Sequence, residues 1–284
     1  MPMSQAESNP VARSYLFVPG NRADRFEKAC AAGADAVIVD LEDAVPPDDK
    51  EAARAALAAW LSPARSVLVR INGADTRWFD DDLALCRLPG VAGIVLPKAG
   101  APGELLELHD AGAKEIYPLI ETAHGFENAR VLAEAPGVRR LMFGSIDFKL
   151  DLGIEGDDDA LLYFRSQLVL ASRLASAQPP VDGVSTAIDD AGELERDTLR
   201  ARRLGFGGKL CIHPKQVAAV NRCFSPSAAD IAWAKRILDA SAASGGAAVA
   251  VDGKMVDRPV ILRARQIADE AARRHPADRM HPGT

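Results

Sequence analysis

Cysteine is scarce in this 284-residue chain, and Cys30, Cys86, Cys211 and Cys223 show no CxxC or zinc-finger spacing. The grouping of Cys211, His213 and Cys223 matches no standard metal site. Buried, reduced thiols are predicted instead, in keeping with a cytoplasmic protein. A basic excess is also missing. With 34 Lys and Arg against 40 Asp and Glu, the formal charge is −6. That argues against nucleic acid as a partner, while anionic small molecules still answer to the local field of a cleft. No apolar run is long enough to span a bilayer, so no membrane association is expected. The opening MPMSQAESNP lacks the basic start and apolar run of a secretory signal. Nucleotide loops are absent too. The turn Val18–Arg22 lacks the lysine–Ser/Thr ending of a Walker loop, and Gly205–Lys209 does not open a helix.

What is present is a regular alternation. Short apolar, β-branched runs occupy Tyr15–Val18, Ala36–Val39, Val67–Ile71, Gly93–Leu96, Glu115–Ile120, Arg140–Phe143, Val181–Val184 and Lys209–Ile212. Between them lie helical patterns at Arg22–Ala32, Asp49–Leu61, Gly103–Ala111, Asp159–Ala177 and Ala191–Leu204, with Gly33, Gly112 and Gly205 placed to end three of them. Eight strand–helix units predict an α/β fold, a (β/α)8 TIM barrel with parallel strands, rather than an open sheet. After Phe224 the pattern changes to helices over Ala228–Ala242 and Pro259–Arg273, separated by SAASGGAAVAVDGKMVD. Val249, Val251 and Met255 favour an ordered excursion there over a solvated linker. The reading is a barrel domain over 1–225 and a C-terminal helical extension over 226–284 that packs on a neighbouring subunit.

The polar residues gather at the carboxyl ends of the strands, where a parallel barrel keeps its active site. Glu121 and Asp147 follow the fifth and sixth runs, so two carboxylates are predicted at adjacent strand ends. Such a pair is a hard-oxygen site with open positions, suited to Mg²⁺; the bland alternative is a helix cap or a salt bridge for each. Arg70 ends the third run and can grip a substrate carboxylate with paired hydrogen bonds, or pair with an acid of VDLEDAV such as Glu42. Glu42 and Asp43 can in turn orient that arginine, reach a metal through water, or balance charge. Lys98 suits an ion pair better than a Schiff base, since nothing in the sequence desolvates it. The turn at Val18–Arg22 can present backbone N–H groups and Arg22 to an anion. His213 before Pro214 reads as a structural cap, and the role of His124 is left open.

These strings closely resemble the citrate lyase β-subunit-like branch of the HpcH/HpaI aldolase superfamily. The matching pieces are RSYLFVPGNR, GADAVIVDLEDAV, VRIN, GIVLPKA, LIETAHG, FGSIDFKLDLG, DGVST, LGFGGKLCIHPKQV and VAVDGKMVDRPV, in the family's order from Arg13 to Val260. The resemblance implies a Mg²⁺-dependent barrel that cleaves or forms C–C bonds in β-hydroxyacyl thioesters, working as a homotrimer or larger assembly. It implies Glu121 and Asp147 as metal ligands, with Glu121 also touching substrate. It makes Arg70 the binder of the keto-acid carboxylate and Asp252 an acid/base delivered to an adjacent subunit; Glu42, from its place beside Arg70, is a further catalytic candidate. Arg13, Phe17, Arg22 and Lys28 resemble positions near the thioester carrier. Two departures stand beside the metal site: Ile146 replaces an acid common in a GAED-like string, and His124 stands where relatives often have Arg or Leu.

The function implied is a retro-Claisen lyase. It would split a CoA thioester such as citryl-, malyl- or citramalyl-CoA into acetyl-CoA and a 2-oxo acid, or run the reverse. A CoA-independent pyruvate-type aldolase and a non-catalytic barrel subunit of a lyase complex are the rival readings.

Overall fold

The eight apolar runs become eight parallel strands: β1 (Ser14–Pro19), β2 (Ala36–Asp40), β3 (Val67–Arg70), β4 (Val91–Leu96), β5 (Ile116–Ile120), β6 (Met142–Phe143), β7 (Val181–Asp182) and β8 (Gly208–Cys211). They pair in sequence order, and β8 closes on β1 to complete a (β/α)8 barrel. This computed structural model describes residues 11–156, 159–243 and 249–274. The N-terminal decapeptide read for a targeting signal lies outside the described residues, as do residues 244–248 of the Ala/Ser/Gly-rich stretch. Among the described residues no helix is long and apolar enough to cross a membrane.

Strand alternation sorts the side chains into two layers. Tyr15, Ile38, Leu68, Val95, Tyr117, Leu119, Met142, Val181 and Leu210 fill the barrel interior. Their neighbours Leu16, Val37, Val39, Val69, Ile94 and Ile120 point outward into the larger core under the helices. The interior phase matters for function. Two residues beyond Ile38, Leu68 and Leu119 come Asp40, Arg70 and Glu121, so the same pleat that buries the core aims these polar groups into the mouth.

β6 and β7 are shorter than the sequence suggests, for local reasons. Pro180 has no N–H to give, so the seventh ladder starts at Val181, whose N–H reaches Leu141 O. Arg140 leaves the strand to donate to Ala12 O, Pro180 O and the Tyr15 hydroxyl at the barrel floor. At the other end the chain turns into the helix Ser145–Leu152 directly after Gly144. The helix Ala191–Leu204 runs as expected. Its Asp190 side chain accepts from Glu193 N–H, and Gly205 ends it in the left-handed region at φ 102°, as Gly33 and Gly112 do after their helices.

Ala12–Phe224 forms one compact unit, and the residues from Ser225 onward belong to a second. In the second unit the helices Ala228–Ala243 and Arg258–Arg274 enclose a small core of Ala234, Ile237, Val256 and Ala264. The ordered excursion is an antiparallel hairpin, β9 (Val249–Val251) and β10 (Lys254–Val256), turned by Asp252 and Gly253 at φ 51° and 73°. Val251 packs on that core as its apolar character suggested, whereas Met255 is 72% exposed.

Candidate active site

Arg70 is the centre of the charged constellation. Its Nε and Nη2 donate to the two oxygens of Asp40, both at 2.7 Å, while Nη1 lies 2.9 Å from Glu42 Oε2 and 3.6 Å from Asp43. Its guanidinium carbon sits 4.9 Å from the Phe17 ring centroid. Burial opposes the charge, but the Asp40 hydrogen bonds and the charges of Asp40, Glu42 and Asp43 hold the pKa above its ordinary value. Asp40 also accepts from Glu42 N–H and Ala44 N–H, so it fixes the arginine and the loop after β2 together. Sequence reasoning missed Asp40 as an individual residue. The signal was its place as the last, inward-phased residue of AVIVD.

The same loop is braced from below by Lys50. Its ammonium donates to Leu41 O, Glu42 O and Asn72 Oδ1, and Asn72 donates in turn to Asp82. Glu42 therefore has a fixed backbone. Burial raises its pKa, with Arg70 pulling the other way. Its Oε2 is buried and, although close to Arg70 Nη1, has no hydrogen bond among the described residues.

Glu121 is 2% exposed at the end of β5. Its Oε1 accepts from the Lys98 backbone N–H at 2.8 Å, an amide aimed by a left-handed φ of 50° at Lys98. Burial pushes the Glu121 carboxyl up to about 8, and the Glu42 charge adds to this. Lys98 N–H and Arg70 offset part of the rise, and Asp147 raises it further. Gly144 packs against this carboxylate so closely that a Cβ there would collide with Glu121 Oε2. Lys98 Nζ, 3.2 Å from Glu42, is held above its ordinary pKa by that pairing against the cost of burial. A protonated lysine of this kind does not suit Schiff-base chemistry.

Asp147 corrects the expectation of two acids at strand ends. β6 stops at Phe143, and Asp147 lies in the first turn of the helix Ser145–Leu152. It still reaches the mouth: Glu121, Asp147, Arg70, Asp40, Asp43 and Phe17 line one cavity of about 500 Å³. Neither Glu121 nor Asp147 has a cationic side chain as partner among the described residues, and Asp147 makes no hydrogen bond there. No group of three or more His, Cys, Asp or Glu is arranged for a metal among the described residues. Two carboxylates with no cationic side chain on them among the described residues fit a hard cation that takes its other ligands from water and substrate oxygens.

Other candidates sit elsewhere. Arg13 is a second correction. It precedes β1 at the amino end of the barrel, where Asp35 holds it through three contacts of 2.8 Å, and the strand separates it from the mouth. Arg22 follows β1 on the mouth side and pairs with Asp24, and Lys28 is exposed on the helix Phe26–Cys30; neither lines the cavity. Asp252, in the second unit, pairs with Arg236 at 3.0 Å. His213 caps the helix Pro214–Phe224 through Lys215 N–H, as read. His124 approaches Asn128 at 3.5 Å and does not line the cavity. Cys86, Cys211 and Cys223 are buried thiols, whereas Cys30 is exposed against expectation.

The closed parallel barrel gathers Glu121, Asp147 and Arg70 around a cavity at its carboxyl end, where barrels of this class keep their active sites. Residues 13–214 match the family model described as HpcH/HpaI aldolase/citrate lyase, and the chain belongs to that family. It is 39% identical to a citrate lyase subunit beta-like protein of Deinococcus radiodurans, over 92% of this chain and 98% of that one. It is 36% identical to a (3S)-malyl-CoA thioesterase of Cereibacter sphaeroides, over 91% and 94%. Among solved structures, the protein CitE from Mycobacterium tuberculosis in complex with magnesium, acetoacetate and coenzyme A superposes with a TM-score of 0.82. Its identity is 34%, over 93% of this chain and 98% of that chain. The citrate lyase beta subunit of M. tuberculosis complexed with oxaloacetate and magnesium gives 0.69 at 33%, over 76% and 98%.

Proposed function

We propose that this protein is a Mg²⁺-dependent lyase that cleaves, or forms, a 3-hydroxyacyl-CoA thioester, yielding acetyl-CoA and a 2-oxo acid. The observation that carries the reading is that Glu121 and Asp147 line one cavity with Arg70 while having no cationic side chain paired to them among the described residues. The relatives bound to magnesium with coenzyme A or oxaloacetate support it. Glu121 and Asp147 would hold the metal, which when bound supplies a Lewis acid and a template for the hydroxyl and carboxylate oxygens of the substrate.

Arg70 spends Nε and Nη2 on Asp40, and its Nη1 edge, which faces Glu42 at 2.9 Å, would exchange that contact for the carboxylate of the nascent 2-oxo acid. Glu42, buried and with Oε2 lacking a hydrogen bond, takes the hydroxyl proton as the C–C bond breaks. The electron pair of that bond passes to the thioester enolate. Asp252 of a neighbouring copy is the proposed site from which the enolate carbon regains a proton, in a homotrimer or larger assembly.

The test is incubation with Mg²⁺, acetyl-CoA and each of glyoxylate, pyruvate and oxaloacetate, alongside the three corresponding cleavages, followed by chromatography of the thioesters. At least one pair turns over, and both EDTA and Glu121→Gln abolish it. Turnover of free pyruvate with an aldehyde and no CoA requirement identifies the aldolase rival. Absence of turnover together with absence of Mg²⁺ binding identifies a non-catalytic subunit.

A further inference from the structure

The mouth of the barrel is divided chemically. The acids and Arg70 come from β2, β3, β5 and the helix after β6. The remaining arc, from the end of β7 through β8 to β1, presents Val184, Leu210, Ile212 and Phe17 to the same cavity. Ile212 is 40% exposed and Ile146, at the junction of the two arcs, 45%. Large aliphatic side chains left open at a cavity mouth are matched by an apolar portion of whatever binds there.

Among the described residues this arc offers a carboxylate no cation. The backbone N–H groups of Ile212 and His213 both donate to Gln216 Oε1, and Gln216 Nε2 donates to Ser185 O. The buried glutamine thus ties the β7 and β8 loops together and engages the two N–H groups that follow β8. The cations on this side are engaged as well. Lys209 and Arg165 are buried behind the wall on Asp182, at 3.3 and 2.8 Å, and Lys215 pairs with Asp189 at 2.8 Å. Among the described residues Arg70 is the one cation lining the cavity, against four acids there.

From this we infer that the 2-oxo acid handled by this site carries one carboxylate and an alkyl substituent, the carboxylate on Arg70 and the alkyl group against Val184 and Ile212. The inference rests on the lyase reading and narrows it to thioesters whose cleavage releases a 2-oxoalkanoic acid rather than a 2-oxo dicarboxylic acid. A second carboxylate there would be desolvated against hydrocarbon and beside acids, with the Ser145 hydroxyl but no cation to meet it.

Calorimetry in Mg²⁺ buffer with pyruvate, 2-oxobutanoate and freshly dissolved oxaloacetate tests it. The alkyl acids bind about 10-fold or more tighter than oxaloacetate. Ile212→Lys, at a position already open to solvent, narrows or reverses that order. Oxaloacetate binding as tightly as 2-oxobutanoate in the wild type overturns the inference and leaves the lyase reading standing. An unchanged order in a folded Ile212→Lys variant also overturns it. If no 2-oxo acid binds at all, the lyase reading itself fails and takes this inference with it. Should the variant fail to fold, the wild-type order alone decides.

Discussion

Asp40 and Arg70 are register partners on β2 and β3, and their side chains meet through two hydrogen bonds of 2.7 Å at the mouth of the barrel. Because both are buried, the pair has one geometry, and Arg70 is oriented before any ligand arrives. The guanidinium face rests on Phe17 and its remaining edge is turned toward Glu42.

Asp40→Asn is expected to keep the fold and loosen the arginine. One strong acceptor is lost, while Glu42 and Asp43 retain the positive charge. Loss of roughly 10- to 100-fold in kcat/KM follows, from a misaligned carboxylate grip. The stability loss is about 2–4 kcal/mol by denaturant titration, because one partner of a buried charge is removed. An unchanged kcat/KM in Asp40→Asn would show that Arg70 needs no orientation by β2.

The Glu121 carboxyl, pushed up to about 8 by burial, gives the metal-free protein a defined pH dependence. The folded state holds a proton that the unfolded state has released between its ordinary value of 4.5 and about 8. Stability without metal therefore falls as pH rises through that window, on the order of a few kcal/mol. Glu42, also raised, acts in the same direction. A bound divalent cation favours the ionised form, so Mg²⁺ binding releases a proton below about pH 8 and tightens as pH rises. Melting temperatures at pH 5.5 and 8.5, with EDTA and with saturating Mg²⁺, check this. The EDTA series falls with pH and the Mg²⁺ series does not. Parallel slopes in the two series would contradict it.

Gly144→Ala places a methyl group against Glu121 Oε2. The neighbour is the carboxylate of a fully buried side chain, so the relief comes from moving the proposed ligand. Mg²⁺ affinity is expected to drop about 10-fold or more, with a stability cost of about 1–3 kcal/mol from overpacking. Calorimetric titration beside a thermal melt separates the two effects.

The barrel was legible because each strand is an apolar, β-branched run closed by polar residues, and periodicity reports that directly. Arg70 and Glu121 were legible for the same reason, since they continue the inward phase of Leu68 and Leu119. The partnership of Asp40 with Arg70 was not, because the register between strands sets it, and neither strand carries that information alone. Asp147 was assigned to the correct mouth but the wrong element. The sixth run ends at Phe143 in sequence and structure alike, but the short helix that begins at Ser145 and carries Asp147 has no clear signal in GSIDF. Arg13 precedes the first strand run, so its amino-end position was already legible, and only the motif resemblance grouped it with residues of the mouth. The helices Ala123–Glu127 and Ala129–Ala133 escaped notice because each is about one turn long and the first depends on the Thr122 side-chain cap.

The central claim is that Glu121 and Asp147 hold one divalent cation between them. Calorimetric Mg²⁺ titration of the wild type, Glu121→Gln and Asp147→Asn at pH 8 tests it most directly. The expected result is a single site in the wild type that each substitution weakens at least about 10-fold, with no further loss of folding seen by circular dichroism. Equal Mg²⁺ binding by all three proteins would contradict it.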